Sequence, residues 1–96
     1  MKIMKQVAFD FLEEKKSATF QETWDHVKIE LKSDWETIYA KEKIDIDAIE
    51  KLKIGELYTM FTTDGEFVKS EKDMWTLSHF YSYEQVQKMN INVGEL

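Results

Sequence analysis

Two histidines and several closely spaced carboxylates are the residues here whose types could do chemistry. His26 and His79 are the only imidazoles, and the chain has no cysteine. An imidazole can act as general base or metal ligand, but a ligand set needs partners at short spacing. Neither histidine has a second histidine near it in sequence, so each reads as a satisfied or solvated side chain. Asp45, Asp47 and Glu56 stand at the first, third and twelfth positions of a calcium-loop spacing. The fifth position is Ile49 and the sixth, which must be glycine for the sharp turn, is Glu50, so the loop fails. Glu13-Glu14 and the pair Glu71 and Asp73 could supply an acid and a base. Nothing in their surroundings indicates burial, and an acidic solvated surface accounts for them. There is no nucleophile elbow and no glycine-rich phosphate loop among only three glycines. No catalytic residue, metal or cofactor is therefore expected, and the chain reads as a non-enzyme.

Charge restricts the possible partners. The net charge is -6, and all thirteen basic residues are lysine. Arginine is the usual bidentate reader of guanine edges, whereas lysine offers a point charge. An acidic, arginine-free chain is poorly suited to strong duplex binding, which is dominated by cationic contacts to phosphate. Three Trp, four Tyr and six Phe supply enough apolar surface for one packed core in 96 residues. No run approaches the roughly 18 apolar residues of a membrane span. Asp10, Glu13 and Glu14 interrupt the N-terminal apolar stretch, so it does not read as a signal peptide. A cytoplasmic, monomeric protein with no membrane contact is the expectation.

The elements that must position these residues centre on Ile54 to Tyr83. Ile54, Leu57, Tyr58 and Phe61 recur at i, i+3, i+4 and i+7, the face of a helix. Thr63-Asp64-Gly65 breaks that period: glycine can supply a positive φ, and Asp64 can hydrogen-bond its own backbone. Glu66 to Lys69 and Met74 to Leu77 read as short strands joined by Ser70-Glu71-Lys72-Asp73, an antiparallel hairpin.

Ahead of this, Met4, Val7, Ala8, Phe11 and Leu12 predict a helix from about Lys2 to Lys15, with Phe9 off the stripe and free to pack on a later element. Ser17-Ala18-Thr19 could add a third small strand. Thr19 with Glu22 forms a capping box, so a second helix should begin at Phe20 and bury Phe20, Trp24, Val27 and Leu31. Ser33 with Glu36 reads as a second box, starting a separate helical piece with Trp35, Ile38 and Tyr39. Ala40 to Lys43 is polar. Ile44 to Asp47 could be briefly extended, leading to a third cap at Asp47 with Glu50. Ile49 and Leu52 fall out of phase with Ile54, which predicts a junction near Leu52. Ser82 and Gln85 should cap a C-terminal helix through Met89, leaving residues 90–96 flexible. The whole reads as one α+β domain over residues 1–96: a winged helix-turn-helix with three or more helices and a small antiparallel β-hairpin wing.

Trp75 should be core, packing on Phe67 and the Ile54/Phe61 face. Tyr58, Phe80, Tyr81 and Tyr83 are the aromatics that could stay partly exposed and anchor a partner. The series Leu57-Tyr58-Thr59-x-Phe61-x-x-Asp64-Gly65-x-Phe67-Val68, then Trp75-x-Leu77 and Phe80-Tyr81-x-Tyr83, resembles the N-terminal winged-helix (HARE-HTH) domain of the delta subunit of bacterial RNA polymerase. Phe20-Gln21-Glu22 also resembles the start of that family's second helix. The likeness is close over residues 54–86 and looser over 4–31. Three features depart from the family: residues 33–46 read as an insertion, Glu66 replaces a cation on the wing, and the family's acidic tail does not follow Leu96. The last implies a tailless or shortened version.

The resemblance implies a non-catalytic accessory subunit that binds RNA polymerase core and modulates transcription initiation and recycling. The partner-facing positions it suggests are the outward residues of helix and wing: Glu56, Thr59, Thr63, Glu66 and Lys69. The alternative is a winged-helix DNA-binding regulator, with Thr59, Thr62 and Thr63 at phosphates beside Lys51, Lys53 and Lys69. Against it, Ile54 to Leu77 carries two lysines and five carboxylates, net -3, the wrong sign for a groove-entering element.

Overall fold

The computed structural model describes residues 3–94. Lys2, placed near the start of the first helix by its sequence, lies outside them. Helix α1 runs Met4–Lys15 and buries Val7, Ala8 and Leu12. It ends where Lys16 takes a positive φ of 73° and donates its backbone N–H to the Leu12 carbonyl. That turn delivers the chain into β1 (Ser17–Thr19). The Thr19–Glu22 capping box forms in both directions, and α2 begins at Phe20 as expected.

α2 does not stop at Ser33. It is one helix, Phe20–Tyr39, and the second capping box is absent. Trp24, Val27, Leu31 and Trp35 are all buried, spaced by three and four residues, so the apolar stripe passes through Ser33 without a break. The Trp35 ring stacks on Trp24, with centroids 5.8 Å apart and planes 17° apart. Burial of that pair outweighs a local cap of about 1 kcal/mol. The residues read as an insertion therefore include part of the core.

A 3-10 turn at Ala40–Glu42 follows, and α3 spans Ile46–Thr63. Two expectations fail here. The N-cap lies two residues before the expected Asp47, at Asp45, whose carbonyl accepts from Ala48 and Ile49. Nor is there a junction at Leu52: Leu52 points outward at 52 % exposure, while Ile49, Leu57 and Phe61 are buried. The stripe that matters steps from Ile49 through half-buried Lys53 and Ile54 to Leu57, which a purely apolar pattern hides. Tyr58, placed on the same face in the sequence reading, is 55 % exposed.

The turn after α3 is built by aspartate rather than glycine. Asp64 Oδ1 accepts from the Glu66 backbone N–H at 3.0 Å, and Gly65 has no positive φ. Strands β2 (Phe67–Glu71) and β3 (Met74–Leu77) form the hairpin. β2 extends two residues beyond the expected Lys69, so the loop contracts to Lys72-Asp73, and a bulge between Lys69 and Glu71 adjusts the register. Asp73 supplies the positive φ, 67°, that the short turn needs. β1 pairs with β3, giving an antiparallel sheet in the order β1-β3-β2. Thr76, buried mid-sheet, donates its hydroxyl to the Lys16 carbonyl and so ties the hairpin to the end of α1. After a 3-10 turn at Ser78–Phe80, α4 runs Tyr83–Gly94 behind a Ser82–Gln85 capping box. The helix thus runs past the Met89 end expected from sequence; residues 95–96 lie outside the described ones.

One apolar cluster joins α1, α2, α3 and the sheet. At its centre Phe61 meets Phe67 at 4.9 Å and Trp75 at 5.0 Å, as expected of a core Trp75. The order α1-β1-α2-α3-β2-β3 with that sheet order is an α+β, winged-helix arrangement.

Candidate functional site

The winged-helix order brings the C-terminal end of α3, the first turn of α2 and the hairpin around one open groove of about 820 Å³. Its floor is aromatic. Phe20 meets Tyr58 edge-on at 5.7 Å and Phe61 edge-on at 5.5 Å, with Trp75 behind. Capping at Thr19 is what holds Phe20 there, because it fixes where the first turn of α2 begins. The rim is polar: Gln21, Thr62, Thr63, Asp64, Lys69 and Asp73. Tyr58 stands at the edge between floor and solvent.

The hydroxyls on this rim are turned inward. Thr62 Oγ1 donates to the Tyr58 carbonyl at 3.1 Å, and Thr63 Oγ1 donates to the Thr59 carbonyl at 2.7 Å. Gln21 gives its amide hydrogen to Asp25 Oδ1 at 2.9 Å. Asp64 Oδ2 lies 3.0 Å from Lys5 Nζ, and Glu66 lies 3.5 Å from the same ammonium. The Glu66 backbone N–H, and then Lys5, hold the Asp64 carboxyl below its ordinary range despite partial burial. The hydrogen bond to Asp64 in turn raises Lys5.

Of the five sequence-predicted partner positions, two, Thr63 and Lys69, line the groove. Glu56 is exposed on α3 and pairs with Lys53 at 3.2 Å. Burial disfavours the charged Lys53, but the bonds to Glu56 and Tyr39 outweigh it and leave its pKa raised. Thr59 is exposed but contributes no side chain to the groove lining. Glu66 faces a second hollow of about 420 Å³, shared with Phe9, Glu13, Ser78 and His79. Phe20, Gln21 and Asp73 belong to the groove and were missed. Phe20 packs half-buried against the core, as its helical phase predicts, and also lines the groove; nothing in sequence shows that the first turn of α2 meets the last turn of α3.

Of the residues that could do chemistry, the structure brings one pair together, His79 and Glu13. His26 stacks on Phe11 at 4.6 Å. His79 Nε2 lies 2.6 Å from Glu13 Oε2, both about half-exposed, with the Phe9 ring stacked 5.8 Å away, which fulfils the expectation that Phe9 packs on a later element. Asp47 and Glu56 lie within α3, so no calcium loop forms. Among the described residues no group of three or more His, Asp or Glu side chains could hold a metal ion, and no buried side-chain polar atom lacks a partner. Of the exposed aromatics, Tyr58 and Tyr83 are open at 55 % and 79 %, while Phe80 and Tyr81 are half-buried. Lys16 Nζ covers the Phe80 ring at 4.8 Å.

Fold and groove together define a winged-helix domain with an aromatic-floored, polar-rimmed cleft beside its wing. Comparison with protein-family models, curated proteins and solved structures gave no significant match. Among the described residues no helix is long and apolar enough to cross a membrane.

Proposed function

We propose that this chain is a non-catalytic accessory module that docks on RNA polymerase core and modulates initiation and recycling. The family side of this reading rests on the aromatic series from Leu57 to Tyr83. The choice of a protein partner over DNA rests on one observation about α3 and the wing: residues 46–77 carry four lysines against seven carboxylates, the wrong sign for a phosphate-reading surface. The Thr62 and Thr63 hydroxyl protons are committed to α3 carbonyls. Lys53 is committed to Glu56. Each remaining lysine on α3 and the wing, Lys51, Lys69 and Lys72, has a carboxylate within three positions. Phosphate contacts supply most of duplex affinity, so this surface opposes the alternative of a DNA-binding regulator. The module acts as a cytoplasmic monomer, since its polymerase partner is cytoplasmic and net charge of one sign keeps copies apart.

The test is a paired measurement on the full chain. Co-purification with polymerase core should succeed, and labelled duplex DNA at low salt should bind no tighter than about 10⁻⁴ M, the weak end of non-specific affinity. Micromolar, salt-sensitive duplex binding without polymerase association would replace this reading with the DNA-binding one.

A further inference from the structure

The groove beside the wing has a shape and a charge that restrict what can sit in it. Its accessible aromatic surface is Tyr58, more than half exposed, with half-buried Phe20 edge-on against it. Behind them Phe61, Phe67 and Trp75 are packed among themselves, so the floor is rigid and apolar. An apolar or aromatic side chain fits that floor, and a cation fits the exposed π-face of Tyr58.

The sign of the rim comes from three sources. Asp64 and Asp73 are carboxylates against the single cation Lys69 among the lining residues. The C-terminal end of α3, negative by its aligned peptide dipoles, lies at the same place, and no basic residue stands in its last turn. The opposing positive end of α2 is answered by Glu22 in its capping box. Lys5 screens Asp64 from one side, which leaves Asp73 as the exposed anion at the wing tip. An anionic occupant such as nucleic acid would meet a like charge. A second copy would add its own net charge of -6 to the same field.

We infer that this groove is the docking site for an extended, basic polypeptide segment that inserts one apolar or aromatic side chain between Tyr58 and Phe20 and sets a flanking cation against Asp73 and the end of α3. The inference rests on the reading of the chain as a protein-docking module and adds the chemistry of the segment it takes. Lys69 is the one lining residue that works against such a segment, which gives the inference a sign that can be reversed.

The probes are the peptides acetyl-Lys-Trp-Lys-amide and acetyl-Glu-Trp-Glu-amide, titrated into the isotope-labelled full chain and followed by amide chemical shifts. The cationic peptide should move Tyr58, Thr62, Thr63 and Lys69, with an affinity that falls as salt rises. The anionic peptide should bind more weakly. Lys69→Glu should tighten the cationic peptide by about 1.4- to 5-fold and Asp73→Asn should weaken it within the same range, as expected for exposed charge pairs. Tyr58→Ala, a change at an exposed position, should weaken it by roughly 2- to 10-fold, the scale of one aromatic contact. Shifts that map elsewhere, no groove shifts at millimolar peptide, equal or tighter binding of the anionic peptide, or a Lys69→Glu variant that binds less well would each overturn the inference. Peptide binding that follows these signs while polymerase association fails would remove the proposed partner and leave the groove's chemistry standing. Polymerase association without peptide discrimination would do the reverse.

Discussion

Gly55 provides the sharpest test of how α3 is built. It is the tenth of the eighteen residues in Ile46–Thr63, one turn beyond the position where the apolar phase predicts a break. A methyl group built on its α-carbon meets no heavy atom within 4 Å, and its φ is not positive. If α3 is continuous there, Gly55→Ala changes helix propensity and nothing else. Alanine is favoured over glycine by about 0.8–1.0 kcal/mol in a helix interior. For a domain of this size that should raise the thermal midpoint by roughly 4–8 °C. Gly55→Pro should cost about 3 kcal/mol or more, because the ring removes one helical hydrogen bond and collides with the preceding turn. Urea denaturation followed by circular dichroism would read both changes as midpoint shifts at constant m-value. A neutral or destabilising alanine together with a tolerated proline would show that the helix is interrupted, and with it the geometry that brings Tyr58 and Thr62 to the groove.

Two further outcomes follow from side chains whose roles the fold decides. Trp35→Ala should cost about 3–5 kcal/mol in urea or thermal denaturation, since the ring is 4 % exposed and stacked on Trp24; a loss below about 1 kcal/mol would make residues 33–39 an appendage rather than part of the core. Asp64 has a folded pKa below its reference value of 3.8, so its stabilising contribution is complete above that value and is lost as pH falls through the lower folded pKa. Asp64→Asn keeps the side-chain oxygen that accepts from Glu66 but removes the charge. Its urea midpoint should therefore lie below that of the wild type at pH 7 and converge with it as pH falls through the lowered folded pKa of Asp64, and a gap that stays constant with pH would refute the assignment.

Where local chemistry and burial agreed, the sequence was sufficient. The Thr19–Glu22 and Ser82–Gln85 boxes, the β1 triplet, the hairpin and the core role of Trp75 are all legible because each depends on residues a few positions apart or on a plain apolar period. The same information determines the charge sign, and with it the argument against phosphate. Sequence failed where a local preference competed with burial at a distance. Ser33 offers a cap, but Trp35 gains more by stacking on Trp24, so α2 runs on. Gly65 offers a left-handed turn, but the Asp64 side chain closes the turn first, and the positive φ falls to Asp73 where the bulged hairpin needs it. The groove itself is tertiary: residues 19–21, 58–64 and 67–75 become neighbours only when β1 pairs with β3 and Phe61 packs on Phe67 and Trp75. Spacing along a chain can report which side chains share a helix face, but not which helix ends will meet across a core.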